Sequence, residues 1–352
     1  MKRILIVRLG ALGDVVHAIP VAAALRRSFP QARIDWLVSA KHREILDLVP
    51  VIDRRLVIND RSDARGGSSL IAAIRELRGG QYDVVVDLQG LIKSALLARS
   101  SGAPRVIGFS SRYAREPLAR LFYTDAFDPG RGGIYDPRET RHVVEINLAL
   151  LQKLGINPSA PAFPIEPVQS AAAAAVARDT GGQYVLMNPG AAWPNKRWPA
   201  SRFAALAAGL RDRAGVRSVV LWGPGERVLA DEVVAAAGGA AAASPQTTVA
   251  DLVAIARGAS LLVSGDTGPT HIASAVGTPI VGLYGPTRPS RNGPLSPRDA
   301  IVSRDAICQC HHLRRCTRDR MCLLDIDVQE VLSAAERVMS RRSPVVGGTG
   351  DR

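Results

Sequence analysis

The stretch VSGDTGPTHIASAVGTPIVGLYGPT occupies residues 263–287 and contains five glycines, three prolines, one aspartate and one histidine. It continues the apolar residues 260–263, and its second apolar run, at 279–285, is separated from them by a segment with helical spacing. Strand, glycine-containing turn, helix and strand in this order are the repeating unit of a parallel sheet covered by helices. The stretch therefore predicts an α/β fold, with a polar turn at the carboxyl end of a buried strand.

The turn itself carries residues that suit a ligand. Gly265 and Gly268 allow a tight turn, and Thr267 is expected to cap the helix that follows. Backbone N–H groups at a helix start attract phosphate, and His271 lies in the first turn of that helix. Asp266 would repel a phosphate but would hydrogen-bond a pair of sugar hydroxyls. The turn predicts a site for a sugar attached to a phosphate, and a capped turn with a solvated aspartate is the alternative.

Continuous Val/Ile runs alternate with helical segments along the whole chain, which is typical of doubly wound parallel sheets. The first half predicts strands at 3–8, 33–39, 82–88 and 105–109, with helices at 14–28, 41–48, 68–78, 91–100 and 140–154. The second half predicts strands at 184–190, 217–223, 260–265 and 279–285, with helices at 200–214, 225–236, 249–257 and 269–276.

The proline-rich segment GINPSAPAFPIEP, residues 155–167, interrupts this alternation and indicates a linker. We expect a first Rossmann-like domain at 1–157, a linker at 158–167 and a second Rossmann-like domain at 168–326. A helix at 327–341 and a disordered tail at 342–352 complete the prediction. Two doubly wound domains are expected to face a central cleft, because ligands bind outside the carboxyl ends of parallel strands.

A second polar loop, NPGAAWPNKRWP at 188–199, also follows a strand and precedes a helix. Lys196 and Arg197 have few acidic neighbours in sequence, so we expect them to be unpaired. Two such cations beside a helix start suit a diphosphate.

A third loop, RLGALGDVVHAIP at 8–20, has glycines that differ from the spacing of a dinucleotide-binding fingerprint. Asp14 stands at its helix start, where a carboxylate works against phosphate binding. Asp14 is therefore a candidate general base, and a helix N-cap is the alternative.

Composition limits the possible partners. The chain has 352 residues, 47% of them hydrophobic, with neither a membrane-length apolar run nor a signal-peptide pattern, so we expect a cytoplasmic protein. The net charge is +13, and residues 1–160 hold 24 basic against 16 acidic residues, or +8. Such a charge favours an anionic partner, either a phosphorylated substrate or an anionic membrane surface, unless it merely reflects an arginine-rich genome. A nucleic-acid partner is not expected, because no recognition motif or aromatic cluster accompanies the arginines.

Four cysteines fall in one short segment, CQCHHLRRCTRDRMC: Cys308, Cys310, Cys316 and Cys322. Their spacing lacks the paired C-x2-C knuckles of common zinc sites. Labile thiols, structural thiols and a metal site all remain open, and we predict no metal for the reaction.

The first and third motifs together resemble glycosyltransferase family 9, the bacterial heptosyltransferases, which have the GT-B fold. The stretches YDVVVDLQGLIKSALLA, 82–98, and AREPLARLFY, 114–123, resemble the members that add the first heptose to the Kdo sugar of lipopolysaccharide. The resemblance implies an inverting enzyme at the cytoplasmic face of the inner membrane, in peripheral contact with anionic lipid, that uses ADP-heptose, Kdo-lipid A and no cofactor.

The resemblance also implies roles for individual residues. Asp14 is the expected base, and Lys93 and Arg115 are the expected acceptor-binding residues. The expected donor-binding residues are Lys196, Glu226, Asp266, Thr267, Gly268 and His271. A different family 9 acceptor, including that of the second heptosyltransferase, and a non-catalytic sugar-nucleotide binding protein are the alternatives.

Overall fold

The computed structural model describes residues 1–59, 66–130, 132–157, 160–311, 313–316 and 319–341. The tail predicted at 342–352 and the first two residues of the predicted linker lie outside this part of the chain. The chain divides into two compact units, Met1–Pro167 and a second that begins at Val168.

The first unit is a parallel sheet of six strands in the order β3-β2-β1-β4-β5-β6. Its strands are β1 Arg3–Val7, β2 Arg33–Ser39, β3 Arg54–Ile58, β4 Val84–Asp87, β5 Arg105–Phe109 and β6 Asp125–Phe127. Its helices are α1 Leu12–Val16, α2 Ile19–Ser28, α3 Gly66–Gly79, α4 Ile92–Ser100 and α5 Val143–Ala149. Short 3-10 helices lie at Ala40–His42, Glu44–Leu48, Pro117–Phe122 and Leu150–Leu154.

The second unit repeats this topology with the strand order β12-β11-β10-β7-β8-β9, also parallel throughout. Its strands are β7 Tyr184–Asn188, β8 Arg217–Val220, β9 Ala241–Ala243, β10 Leu261–Gly265, β11 Ile280–Tyr284 and β12 Ala300–Ser303. Its helices are α6 Ala171–Thr180, α7 Ala200–Ala214, α8 Arg227–Ala236, α9 Val249–Gly258, α10 Gly268–Ala275, α11 Pro289–Asn292 and α12 Val328–Ser340. Its 3-10 helices are Pro194–Lys196, Asp305–Ile307 and Cys322–Asp325.

The central strands form the core of each unit because helices cover both faces of the sheet. Residues 4–7 of β1 and 261–263 of β10 are almost fully buried, as their continuous apolar sequences predict. Within the described ranges, no helix combines the length and the apolar character needed to cross a bilayer.

The helix predicted at 14–28 is wrong in one respect, because the structure has two helices there, Leu12–Val16 and Ile19–Ser28. Pro20 lies in the first turn of the second helix. A proline has no N–H to donate and its ring clashes with the carbonyl four residues earlier, so one continuous helix is excluded. The predicted helix 41–48 is likewise replaced by two 3-10 helices, and only 143–149 of the helix predicted at 140–154 is α-helical.

Candidate active site

In both sheets the strand order reverses between two neighbouring strands, β1 and β4 in the first unit and β7 and β10 in the second. Ligands of doubly wound sheets bind outside the carboxyl ends of such strands. The candidate residues follow these four strands, in the segments 8–14, 87–93, 188–196 and 266–271. Within each unit, the topology therefore brings together residues that are far apart in sequence.

Asp14 lies in the first turn of α1 and is held by two arginines. Its Oδ1 lies 2.8 Å from Arg8, and its Oδ2 lies 2.8 Å from Arg115. The Oδ2 atom also accepts the N–H of Ala11 at 3.2 Å, so Asp14 makes a helix-capping contact from the third helical position and not as the N-cap. Both carboxylate oxygens of Asp14 are thus engaged.

These two cations determine the ionisation of Asp14. Burial alone would raise the pKa of Asp14, but the charges of Arg8 and then Arg115 outweigh it and hold that pKa well below its ordinary value. Burial lowers the pKa of Arg8 to about 10, which leaves its guanidinium charged at neutral pH. The site therefore contains an ionised carboxylate between two guanidinium groups.

Asp87, at the end of β4, organises the backbone beside this carboxylate. It accepts hydrogen bonds from Gln89 N–H, Ser94 Oγ and Tyr123 Oη, each at 2.8 Å. Gln89 in turn accepts the N–H of Leu9 at 3.0 Å through its side-chain oxygen. The loop after β1 is thereby fixed to the loop after β4, and Asp87 is a structural carboxylate whose pKa is raised by burial.

The two candidate acceptor residues lie on adjoining segments of the first unit. Lys93 is exposed in the first turn of α4, and Arg115 directly precedes Glu116, whose carboxylate accepts the N–H of Ile92 at 2.7 Å. Gly90 has φ +68°, and a Cβ there would lie 3.1 Å from the backbone nitrogen of Arg115. Glycine therefore allows the two segments to meet. Arg115 pairs with Asp14, and its neighbour Glu116 pairs with the backbone.

In the second unit, Lys196, Asp266 and His271 form one buried group. Lys196 Nζ lies 2.6 Å from Asp266 Oδ2, and His271 Nε2 lies 3.1 Å from Asp266 Oδ1. Burial would raise the pKa of Asp266, but the hydrogen bond from His271 and the charge of Lys196 hold it well below its ordinary value. A Cβ on Gly265 would lie 3.2 Å from the Lys196 carbonyl oxygen, so glycine permits this close approach.

Two local expectations about these loops are wrong. Lys196 is paired with Asp266, and Arg197 donates to the Ala191 carbonyl at 2.9 Å, because the fold brings partners that are distant in sequence. Thr267 is the N-cap residue of α10, but its hydroxyl makes no capping bond. It instead accepts the Asn188 amide at 3.0 Å, which ties the end of β7 to the start of α10.

Gly268 is the first residue of α10. Glu226 lies next to the loop after β7, and a Cβ on Gly190 would overlap its carboxylate. Glu226 also accepts the N–H of Gly223 at 3.2 Å. The structure therefore places all the candidate donor residues at the carboxyl ends of β7, β8 and β10.

The four cysteines pack together in the second unit with free thiols. Cys308 Sγ lies 3.5 Å from Cys310 Sγ, and Asn195, next to Lys196, donates to Cys310 Sγ at 3.6 Å. Burial raises the pKa of both Cys308 and Cys322. Across the described ranges, no group of three or more His, Cys, Asp or Glu side chains is arranged to hold a metal ion. The contacts indicate that the cluster supports the loop of Lys196.

Comparison with known proteins places this site in a family. The family model for glycosyltransferase family 9 (heptosyltransferase) matches residues 70–321. The chain belongs to glycosyltransferase family 9. A protein named lipopolysaccharide heptosyltransferase 1, from Pseudomonas aeruginosa, is 31% identical over 325 residues, which span 90% of this chain and 87% of that relative. The family predicted from the sequence motifs is thus confirmed, and the chain is a glycosyltransferase.

Solved structures show the same fold. A family 9 glycosyltransferase from Veillonella parvula has a TM-score of 0.80 and 27% identity, with 97% of each chain covered. The Escherichia coli heptosyltransferase WaaC with ADP has a TM-score of 0.77 and 23% identity, covering 96% of this chain and all of that one (100%). The prediction of a GT-B fold with two Rossmann-like units is confirmed.

Three residues of this family 9 site did not emerge from the sequence motifs: Arg8, Gln89 and Asn188. Arg8 directly follows β1, Asn188 ends β7 and Gln89 lies two residues after β4, and a polar residue at the end of an apolar run is the available signal. Their roles depend on which strands become neighbours, and the sequence motifs do not reveal that pairing.

Proposed function

We propose that this glycosyltransferase transfers heptose from ADP-heptose to Kdo of the lipopolysaccharide inner core, with inversion and without a metal. The observation that carries the proposal is the clamp of Asp14 between Arg8 and Arg115. Arg115 belongs to one of the stretches that resemble the first-heptose transferases, and the relative from Pseudomonas aeruginosa has the corresponding name.

The two arginines of the clamp differ in solvent exposure. The Arg8 side chain is 4% exposed, whereas that of Arg115 is 34% exposed. Arg115 is therefore the partner that can turn to an incoming anion, namely the Kdo carboxylate or a lipid A phosphate, which a guanidinium binds well. Its departure leaves Asp14 Oδ2 with only the weaker N–H contact from Ala11 and raises the pKa of Asp14, so the acceptor itself makes Asp14 a better base.

In the reaction, Asp14 takes the proton of the acceptor hydroxyl as that oxygen attacks the anomeric carbon of heptose. The bond from that carbon to the ADP oxygen breaks on the opposite side, which inverts the configuration. Lys93 provides a second cation for the acceptor. The enzyme is proposed to work at the cytoplasmic face of the inner membrane, in peripheral contact with anionic lipid, where its acceptor Kdo-lipid A lies.

The leaving ADP carries the negative charge that develops in this step. Lys196 and the N–H groups of Thr267 and Gly268 are proposed to hold the diphosphate at the start of α10. Asp266 and His271 then contact the sugar and phosphates, and Glu226 binds the nucleoside. Because fixed positive groups meet the leaving charge, the reaction needs no metal ion.

The test is a transfer reaction followed by mass spectrometry of the product. Purified protein is mixed with ADP-heptose and either Kdo-lipid A or an acceptor that already carries one heptose. We expect one heptose to be added to Kdo-lipid A and little to the heptosylated acceptor. A preference for the heptosylated acceptor would overturn the assignment to the first transfer and favour the acceptor of the second heptosyltransferase.

A further inference from the structure

The 3-10 helix Pro117–Phe122 presents two large apolar side chains to solvent. Leu118 is 62% exposed and Leu121 is 74% exposed, whereas Ala119 between them is buried. A spacing of three residues is one turn of a 3-10 helix, so the two leucines lie side by side. A single exposed leucine is common on a protein surface, whereas two adjacent exposed leucines indicate an interaction surface.

The neighbouring helix α4 packs against this 3-10 helix and repeats the pattern. Lys93, Leu96 and Arg99 are exposed at intervals of three residues, which places a leucine between two cations along one side of α4. Leu96 is 45% exposed.

Positive charge lies on the same two elements as these leucines. Helix α4 carries Lys93 and Arg99 on either side of Leu96, and the 3-10 helix carries Arg120 next to Leu121. Neither element contains an acidic residue, and Glu116, which precedes the 3-10 helix, accepts the backbone N–H of Ile92. Protein–protein interfaces are depleted of charge at their centres, whereas cations beside exposed leucines are typical of surfaces that bind anionic bilayers.

We propose that Leu96, Leu118 and Leu121, with the cations around them, form a bilayer-docking face on the first unit. The leucines enter the boundary between headgroups and acyl chains, and the cations contact lipid phosphates. Leu118 of this face lies three residues after Arg115, so a lipid-linked acceptor held at the bilayer surface reaches the clamp of Asp14. That last link rests on the proposed function, whereas the binding to lipid does not.

The test measures co-sedimentation of the full chain with vesicles containing phosphatidylglycerol, and with phosphatidylcholine vesicles as the uncharged reference. The variant Leu118→Ser/Leu121→Ser removes the two most exposed leucines of the docking face. Ile71→Ser/Val228→Ser is the matched control, because these side chains are 60% and 68% exposed on α3 and α8. Thermal unfolding and ADP affinity, measured for each variant, report on the fold.

The wild type is expected to bind the anionic vesicles far better than the uncharged ones. The leucine variant should bind them roughly tenfold more weakly per leucine removed, with unchanged unfolding and ADP affinity. Arg99→Gln should weaken binding about fivefold. The matched control should bind as the wild type does.

The proposal is overturned if the leucine variant binds like the wild type, if the control loses as much, or if both vesicle types bind equally. A wild type that is dimeric in solution, with a monomeric leucine variant, would also overturn it, because a second copy would then cover the leucines. If the leucine variant loses vesicle binding but the wild type does not heptosylate Kdo, the proposed acceptor is refuted and the docking face stands.

Discussion

Replacing Lys196 by Met tests the donor half of the site, because methionine keeps the length of the side chain and removes its charge. Lys196 Nζ lies 2.6 Å from Asp266 and 4.4 Å from the centre of the Trp193 ring, and the two side chains of the ion pair are 14% and 6% exposed. The variant therefore leaves the Asp266 carboxylate buried, with its contact to His271 Nε2 at 3.1 Å but without the lysine charge.

The structure sets the size of the effect on stability. At 2.6 Å the ion pair is worth about 6 kcal/mol with an effective dielectric constant of about 20. Replacing Lys196 recovers only the desolvation of the lysine and leaves Asp266 buried without this partner, and removing one member of a buried ion pair costs about 3–5 kcal/mol. A loss of about 3 kcal/mol would lower the Tm of the second unit by about 6–12 °C.

The effect on ligand affinity follows from the same pair. A hydrogen bond to a charged group is worth about 1.5–3 kcal/mol, so Lys196→Met should weaken ADP and ADP-heptose alike by about 10- to 100-fold. The bare Asp266 carboxylate would repel the diphosphate further. The double variant Lys196→Met/Asp266→Asn should therefore bind ADP more tightly than the single variant.

Titration calorimetry with ADP and thermal unfolding measure both effects. Lys153→Met, which removes an exposed lysine from the first unit, is the control for net charge and should leave both quantities unchanged. Unchanged ADP affinity in Lys196→Met would remove Lys196 from the donor site. A double variant weaker than the single one would refute the repulsive role of Asp266.

Three further predictions concern the clamp, metal ions and acid stability. Arg115→Ala should raise the acceptor KM with little change in ADP affinity. It should also shift the acid limb of the pH profile of kcat/KM to higher pH, because losing the cation raises the pKa of Asp14. An acid limb at the wild-type pH would refute the electrostatic coupling between Arg115 and Asp14. EDTA should leave turnover intact because Lys196 meets the leaving charge, and a complete loss restored by magnesium would contradict this. Arg141 and burial act in opposite directions on Glu139, and Arg141 prevails and lowers the pKa of Glu139 to about 2. The contribution of Glu139 to the free energy of unfolding is thus fully present above its ordinary pKa of about 4.3 and is lost as the pH falls towards about 2. The free energy of unfolding of Glu139→Gln, measured with urea, should lack this dependence on acid pH.

The sequence predicts the centre of each sheet and not its edges. Strands β1, β4, β7 and β10 are buried on both faces, so each appears as a continuous apolar run. The four edge strands, β3, β6, β9 and β12, are short or half exposed, and no such run marks them. Hydrophobic periodicity does not predict helix α6 either, because its run of alanines follows the proline-rich segment and forms no apolar stripe.

The sequence also predicts which side chains belong to the site better than it predicts their partners. Asp14 and Lys196 stand out because each follows an apolar strand within a glycine-containing loop. Their partners Arg115 and Asp266 lie 101 and 70 residues away, and they become neighbours through the strand order of each sheet. Spacing along the chain does not contain that information.

The central claim is that Asp14 is the base of the transfer reaction, and Asp14→Asn tests it most directly. The measurement is the single-turnover rate of heptose transfer to Kdo-lipid A, taken together with ADP affinity and Tm. Loss of a positioned base should lower the rate by about 100- to 10,000-fold while ADP affinity stays unchanged. A rate within a few fold of the wild type, accompanied by a lower Tm, would show that Asp14 only holds the start of α1 and its two arginines.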